Sequence, residues 1–465
     1  MINSDKIQRL KNILVSGRLL TSPGHLIAYE SDALGYKTFT PDAVAIPSDT
    51  NELTDLVGAL RDLDIPWVIR GAGSSLSGGP IAAQGGVVIH LSKLKSILEI
   101  NIEEGYAVVE CGVTLNQLNN QLKPYQFYYP PDPSSGTVST IGGNVACNAG
   151  GVHCFRYGVT SNYVLGLETI LLDGSTVRFG GPAGGRGKWN HDWKRLFVGS
   201  EGTLGVLTKL WLRIISQAEK VWTFRATYSD IDKASKAIQK LSVHSAFPAA
   251  IEFMDPRAVD LVENSPWAVG LPSGSYMILT EIDGPRKLVD SRVESIVHLL
   301  KHCGASDVVY SDDEKSRTDL WKARKAIGGL LGQISPNFIV QDAVIPKKDL
   351  KEILEFIYKE TDNAGVRVAI VMHAGDGNLH PNFLFNAEKT GELEAIEEIS
   401  KKLMYKVMEL GGTLSGEHGI GNDKSIYTTD YFGELGKKFQ MAVSSVFNPK
   451  NQLNPLKIFP ERRFT

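Results

Sequence analysis

The chain has 465 residues, with 49 Lys and Arg against 52 Asp and Glu for a formal net charge of -3. That length can bury two or three cores, and that charge balance argues against non-specific nucleic-acid binding. The four cysteines (Cys111, Cys147, Cys154, Cys303) show no Cys-x-x-Cys spacing, so they suggest neither a disulfide framework nor iron–sulfur ligands. No secretory signal is read and no apolar run would span a bilayer, so a cytoplasmic protein is expected.

Residues 1 to about 20 read as a short helix, with Ile7, Leu10, Ile13 and Leu14 at helical spacing. A strand is expected at 44–47. Thr50 or Asn51 then caps a helix through 63, with Leu53, Leu56, Val57 and Leu60 on one face. The next strand, 67–70, runs directly into Gly71-Ala72-Gly73-Ser74-Ser75-Leu76-Ser77-Gly78-Gly79. Such a loop lets backbone N–H groups approach an anion. It is neither a Rossmann fingerprint nor a Walker loop. A second small-residue stretch covers 130–144 and continues through Asn148-Ala149-Gly150-Gly151 to Gly158. A third is Gly199-Ser200-Glu201-Gly202-Thr203-Leu204-Gly205-Val206. Three such loops in an α/β region suit one long ligand, such as a dinucleotide.

After about 217 the pattern changes. Helices are expected at 231–241, 286–303, 348–363 and 392–410, and strands at 249–254, 276–281 and 366–372. This is an α+β domain with an antiparallel sheet. The stretch 447–458 reads as a polar, Pro-rich tail.

Two motifs carry chemistry. His373-Ala374-Gly375-Asp376-Gly377-Asn378-Leu379-His380-Pro381-Asn382 places two imidazoles around a Gly-rich turn. In a hairpin they can face each other on one side of the sheet, roughly 5 Å apart between Cβ atoms. Glu417-His418, flanked by Gly416 and Gly419, adds a carboxylate and a third imidazole. In an extended pair these two side chains point in opposite directions. The set is the material of a metal site, a general base, or both. Polar loop residues are the bland alternative.

Taken in order, the motifs resemble the vanillyl-alcohol-oxidase flavoprotein superfamily over the whole chain. The three glycine loops look like its PCMH-type FAD-binding domain. The His373–Asn382 and Gly416–Gly421 motifs and Asn454-Pro455 look like its FAD-linked oxidase C-terminal domain. The nearest group is that of glycolate oxidase FAD-linked subunits and D-lactate dehydrogenases. The resemblance implies an α+β fold, with a two-subdomain FAD-binding domain at 39–217 and an antiparallel-sheet cap domain at 218–420. An N-terminal helical segment (1–38) precedes them, and 421–465 returns to the FAD domain.

The resemblance also implies roles. Arg70, Gly71, Ala72, Gly73, Ser74 and Ser75 would hold the FAD pyrophosphate. Pro131, Asp132, Thr137, Gly142, Gly143, Asn144, Asn148, Gly150, Gly151 and Gly158 would line the cofactor. So would Glu201, Gly202, Gly205, Val206 and Asn454. In the related D-2-hydroxyglutarate dehydrogenases, matches to His373, His380 and Glu417 bind a divalent metal, which here would be zinc, manganese or iron. His418 would be the base, with His380 the next candidate. Asn382, His373 and His418 would touch substrate, and Arg324 would clamp its carboxylate. No histidine occurs in the first glycine loop, so FAD is expected to be non-covalent; His153 and Cys154 are a less favoured tether.

One departure bears on substrate. Where the hydroxyglutarate enzymes carry a threonine and a lysine, this chain has Gly328 and Ile339 or Val340. That favours a short 2-hydroxy acid, glycolate or D-lactate, over a dicarboxylate. The reaction implied is hydride transfer to flavin. Electrons would leave to a quinone or to partner subunits, a second FAD-family chain and an iron–sulfur chain, which would also hold the protein at the inner face of a membrane. The competing readings are a D-2-hydroxyglutarate-type dehydrogenase, a metallohydrolase and a non-catalytic flavin subunit.

Overall fold

The computed structural model describes residues 2–182 and 192–460. The chain folds into two compact units. Residues 1–150, 159–217 and 417–465 form the first, and 151–158 with 218–416 form the second.

The first unit holds two sheets of different character. Ala43–Ala45, Val87–His90 and Trp67–Arg70 pair in parallel, and Leu19–Leu20 is added antiparallel at the edge. These strands read as unbroken apolar runs because Val44, Val68 and Val88 and their neighbours are buried. The helix Thr50–Asp62 buries Leu53, Leu56, Val57 and Leu60, as its period requires. Its cap is Asp49, whose carboxylate accepts from the N–H groups of Asn51 and Glu52. The expected helix over 1–20 is shorter, Ser4–Lys11. Gly17 then adopts φ 82 and the chain turns into the edge strand. The other sheet is antiparallel, in the order Ile97–Asn101, Tyr106–Glu110, Val206–Arg213, Val164–Ile170, Thr176–Gly180.

The stretch 447–458 is not a solvated tail. The helix Thr428–Phe447 precedes it, and Asn448, Gln452, Leu453, Asn454 and Lys457 are buried. Trp67 N–H donates to Gln452 O, and Asn454 N–H donates to Trp67 O, so the segment lies along the Trp67–Arg70 strand.

The second unit is built on one antiparallel sheet. Its order is Asp307–Ser311, Lys220–Tyr228, Tyr276–Gly284, Ala250–Met254, Arg367–His373, Asn378–Phe385 and Asn337–Val340, with Ala343–Val344 also pairing with Asn378–Phe385. Helices form at Ile231–Ser242, Leu350–Ala364 and Glu392–Glu409. The 286–303 stretch is two helices, Arg286–Asp290 and Val293–His302. The helices Pro256–Glu263 and Glu314–Ile334 were not anticipated; the latter packs Leu320, Trp321, Ala323, Ile327 and Leu330 on Ala250, Met254, Leu279 and Val371 of the sheet. Residues 151–158 join this unit through polar contacts. His153 Nε2 lies 3.1 Å from Glu281 Oε2, Arg156 pairs with Asp283 at 2.7 Å, and Tyr157 Oη donates to Asp283 at 2.6 Å. Among the described residues, no helix is long and apolar enough to cross a membrane.

Candidate functional site

In the second unit, strand register builds a polar row on one face of an otherwise apolar sheet. Glu252 pairs with His373, and His373 with Asn378. One step along, Met254 pairs with Val371, and Val371 with His380. His373 and His380 are therefore diagonal neighbours rather than directly opposed. The cause is the turn between the strands: the N–H groups of Asp376 and Gly377 both donate to His373 O, with Gly377 at φ 81. Because diagonal partners two residues apart share a face, the imidazoles still meet, edge to face, with centroids 5.1 Å apart. Asn382 lies on the same face, opposite Ala369. Its amide nitrogen is committed to Ala369 O and His380 O, both at 2.9 Å, so Oδ1 is the group it can offer.

Glu252 organises this face and was not singled out from the sequence. Oε1 lies 2.7 Å from His373 Nδ1, and Oε2 accepts from Arg324 Nε at 2.8 Å. Burial pushes the Glu252 carboxyl up, but the interactions with His373 and Arg324 outweigh it and hold the group below its ordinary range. The two terminal nitrogens of Arg324 make no hydrogen bond among the described residues. A planar fork with one edge anchored and the other open suits a carboxylate. His380 Nδ1 sits 3.2 Å from the carbonyl of Gln341. A carbonyl can only accept, so Nδ1 carries the proton and Nε2 is the basic nitrogen. A carboxylate at His373 Nδ1 selects the same tautomer.

A second buried acid lies on the same sheet face. Glu281 accepts from Trp321 Nε1 at 2.7 Å and from the Thr223 hydroxyl, with Arg317 at 3.4 Å. Burial raises its carboxyl, but the His153 hydrogen bond and charge and the other donors bring it down to about 2. Arg317, Trp321 and Arg324 fall at i, i+4 and i+7 of one helix, so a single helix face meets both acids. The signal in sequence was an acidic residue inside Ala-Ile-Glu-Phe-Met, a strand otherwise made for a core. Asn378 was also missed; its Oδ1 is buried without a partner among the described residues.

In the first unit the three glycine loops converge. A side chain on Gly71 would collide with Thr140 Oγ1, and one on Gly202 would press on the Asn454 amide. Asn454 ties the strand before the first loop to the third loop: Oδ1 accepts from Ile69 N–H at 2.9 Å and Nδ2 donates to Glu201 O at 2.7 Å. The returning segment is tied in as well. Glu201 accepts from Ile420 N–H and Gly421 N–H, each at 2.7 Å, and Ser77 Oγ donates to His418 O at 3.0 Å. Ser139 Oγ and Asn144 Nδ2 are buried without a partner among the described residues. Convergent glycine loops with uncompensated buried donors fit an anionic dinucleotide such as FAD.

Several expected cofactor residues have other work. The Arg70 guanidinium donates to Ser31 O at 2.7 Å, both Glu201 oxygens hold backbone, and Asn148 Oδ1 accepts from Ser161 N–H at 2.8 Å. Ser75 Oγ accepts from Ser77 N–H at 3.2 Å. Gly151 and Gly158 fall in the second unit, whereas Gly150 falls in the first. Burial pushes the thiols of Cys111 and Cys147 up to about 12. Glu417 and His418 belong to the first unit. Their side chains do not diverge, since the chain bends there, with Gly419 at φ 87, and Glu417 Oε1 comes 3.8 Å from His418 Nε2. In the second unit, Asp342 accepts from Ser415 Oγ at 2.6 Å and Gly416 N–H at 2.9 Å, which fixes the two residues before Glu417.

Known proteins agree with both halves. Residues 217–458 match the family described as FAD linked oxidases, C-terminal domain, and 41–180 match the FAD binding domain. Glycolate oxidase subunit GlcD of Bacillus subtilis is 33% identical over 99% of this chain and 97% of its own. GlcD of Escherichia coli K12 is 35% identical over 95% of this chain and 88% of its own. A D-lactate dehydrogenase of Anaerostipes hadrus is 30% identical over 91% of this chain and 90% of its own. Among solved structures, p-cresol methylhydroxylase superposes with TM-score 0.81 at 15% identity, covering 99% of this chain and 98% of its own. That last likeness speaks for the fold alone.

Proposed function

The chain belongs to the FAD-linked oxidases, and from that membership we propose that it oxidises a short 2-hydroxy acid, glycolate or D-lactate, to the 2-oxo acid. The observation that carries the reading is Arg324, anchored through Nε on Glu252 at 2.8 Å with its terminal nitrogens uncommitted. It sits on the sheet face that also bears His373, His380 and Asn382. The relatives named for glycolate and D-lactate supply the substrate class.

The flavin, when bound, accepts the hydride from the substrate Cα. Arg324 holds the carboxylate and sets which face of Cα is presented. His418 takes the hydroxyl proton. Asn382 offers Oδ1 to the substrate hydroxyl. His373 and His380, with Glu417, are assigned to a divalent cation, zinc, manganese or iron. The support is two imidazoles on one face, each with Nδ1 engaged and Nε2 basic, the arrangement usual for metal-ligating histidine. FAD is held without a covalent bond, since the first glycine loop has no histidine or cysteine and His153 is engaged by Glu281 at 3.1 Å.

The glycolate and D-lactate preference rests on Gly328 and Val340. Val340 pairs with Asn382 and so lies on the site's face, whereas Ile339 pairs with Phe383 on the other. Neither Gly328 nor Val340 offers a cation or hydroxyl to a second carboxylate. Electrons then pass to a partner subunit or a quinone; the GlcD relatives are themselves named as subunits. The test is anaerobic bleaching of the flavin by a panel of 2-hydroxy acids of both hands. Bleaching by glycolate or D-lactate is expected. No bleaching by any member would overturn the proposal.

A further inference from the structure

In the first unit, the helix Thr428–Phe447 carries apolar side chains on its outward face as well as on its inward one, where Phe447 meets the buried Phe197 edge to face. It is broken at Gly433, which adopts φ 69. Beyond the break, the inward row is Gly436, Gln440 and Ser444, continued by the buried Asn448. The outward row is Leu435, Phe439, Ala442 and Val446. Its spacing of four, three and four is one straight stripe of a helix. Leu435 is 81% exposed, Phe439 69% and Val446 77%. Large apolar side chains carry roughly 150–250 Å² each, so the stripe presents on the order of 400 Å² of apolar surface. A patch of that size matches the largest on a typical monomer, about 300–600 Å², which is often functional. It is about half of the ~800 Å² per partner of a standard interface.

We propose that this stripe is the seam of a homodimer, in which the helices of two copies pack antiparallel across a two-fold axis. The sequence of the stripe is complementary to itself in that arrangement. With the axis between Gln440 and Met441, Leu435 meets Val446 of the second copy and Phe439 meets Ala442 of the second copy. Large side chains face smaller ones at each position, as close packing requires. The charges agree. Glu434, just past the break, comes level with Phe447 of the second copy, three residues before its Lys450. Lys450 is exposed and only loosely paired, 3.6 Å from an exposed Asp64. Lys437 and Lys438 fall level with positions 444 and 443 of the second copy rather than with each other. A parallel pairing would set Phe439 on Phe439 and Glu434 on Glu434, which wastes the small positions and opposes like charges. The seam covers only part of a standard interface, so the dimer forms with micromolar rather than nanomolar strength.

The test is sedimentation velocity of the FAD-loaded full chain from about 1 to 100 µM, a range that brackets micromolar affinity. The mass should rise from 50.8 kDa toward twice that value. Leu435→Glu with Phe439→Glu should stay monomeric at every concentration, with FAD content and melting temperature unchanged because both side chains already face water. Glu434→Lys should weaken the dimer about threefold, and Glu434→Lys with Lys450→Glu should restore it. A wild-type monomer at the top of the range overturns the proposal, as does a dimer indifferent to the double glutamate. Failure of the charge swap to restore the dimer overturns the antiparallel pairing. Capture of wild-type monomer by phosphatidylglycerol vesicles, lost in the double glutamate, would assign the stripe to a lipid surface and likewise overturn the dimer.

Discussion

Replacing Glu252 by Gln tests the arrangement on which the proposed substrate clamp depends. The change keeps shape and removes one charge between two donors. An amide can accept from Arg324 Nε or from His373 Nδ1, now at 2.8 and 2.7 Å, but its NH2 must face the other. If it faces His373, that ring must put its proton on Nε2, and the nitrogen proposed for the cation is lost. If it faces Arg324, two donors oppose each other and the guanidinium swings away. Removing one partner of a buried charge pair costs about 3–5 kcal/mol; with shape kept and Arg324 still 12% exposed, about 3 kcal/mol is the reasonable figure. In a unit of about this size that lowers the melting temperature by roughly 6–12 °C. Loss of a carboxylate behind a metal-ligating histidine typically costs 10–100-fold in metal affinity or activity, and a misaimed Arg324 raises the substrate concentration needed for half-maximal flavin reduction. Anaerobic stopped-flow bleaching at varied glycolate or D-lactate, beside thermal unfolding, reads all three. A variant that bleaches with wild-type rate and substrate dependence, and melts within about 1 °C of wild type, would refute the reasoning.

Four further outcomes are expected. Chelation, or His373→Ala, should abolish turnover while FAD stays bound; full activity in metal-free protein would reduce these histidines to polar packing. His418→Ala should slow flavin reduction by roughly 10²–10⁴ while reoxidation by the acceptor is unchanged; reduction at the wild-type rate would move the base to His380. D-2-hydroxyglutarate should turn over roughly a hundredfold more slowly than glycolate or D-lactate, because its distal carboxylate is desolvated without a partner; faster turnover would mean an unrecognised cation. Burial raises Asp255 from 3.8 to about 6, against hydrogen bonds from Ile370, Tyr358 and Ala258. The native state therefore binds the extra proton between pH 4 and 6. The cost is fully present above about pH 6 and is relieved as pH falls toward 4, by roughly 3 kcal/mol, and urea unfolding of Asp255→Asn should lack that slope.

The parts of the fold legible in the sequence are those where polarity and burial agree. Leu53, Leu56, Val57 and Leu60 announced their helix, and the alternation around His373 and His380 announced a hairpin. The helix Glu314–Ile334 was not legible for the opposite reason. Its inward face carries Arg317 and Arg324 to Glu281 and Glu252, which dilutes the apolar period that marks a helix. The 447–458 segment misled in the same way. It is polar because its buried groups bind backbone: Lys457 Nζ donates to Gly78 O at 2.7 Å and Ile81 O at 2.9 Å, and Asn448 Nδ2 donates to Leu453 O at 2.8 Å. Composition reports solvent exposure only when buried polar groups are rare. Pairing register was also hidden, since one residue of slip at the 374–377 turn changes which histidine faces which strand neighbour.

These hidden features share one physical logic. A guanidinium proposed to hold a substrate carboxylate must be anchored without committing all of its donors to its own protein. The second unit resolves this by giving Arg324 an anchor at Nε only, on an acid that His373 also shares. It fixes the helix beneath by a separate acid, Glu281, through Trp321 and Arg317. Position along the helix is thereby set at i and i+4, while the group at i+7 keeps its terminal nitrogens for the proposed substrate. Arg317→Ala should therefore loosen the site without touching substrate, raising the substrate concentration for half-maximal bleaching. The saturating bleaching rate should stay within about threefold of wild type. An equal fall in both would instead place Arg317 among the groups that act on the transition state.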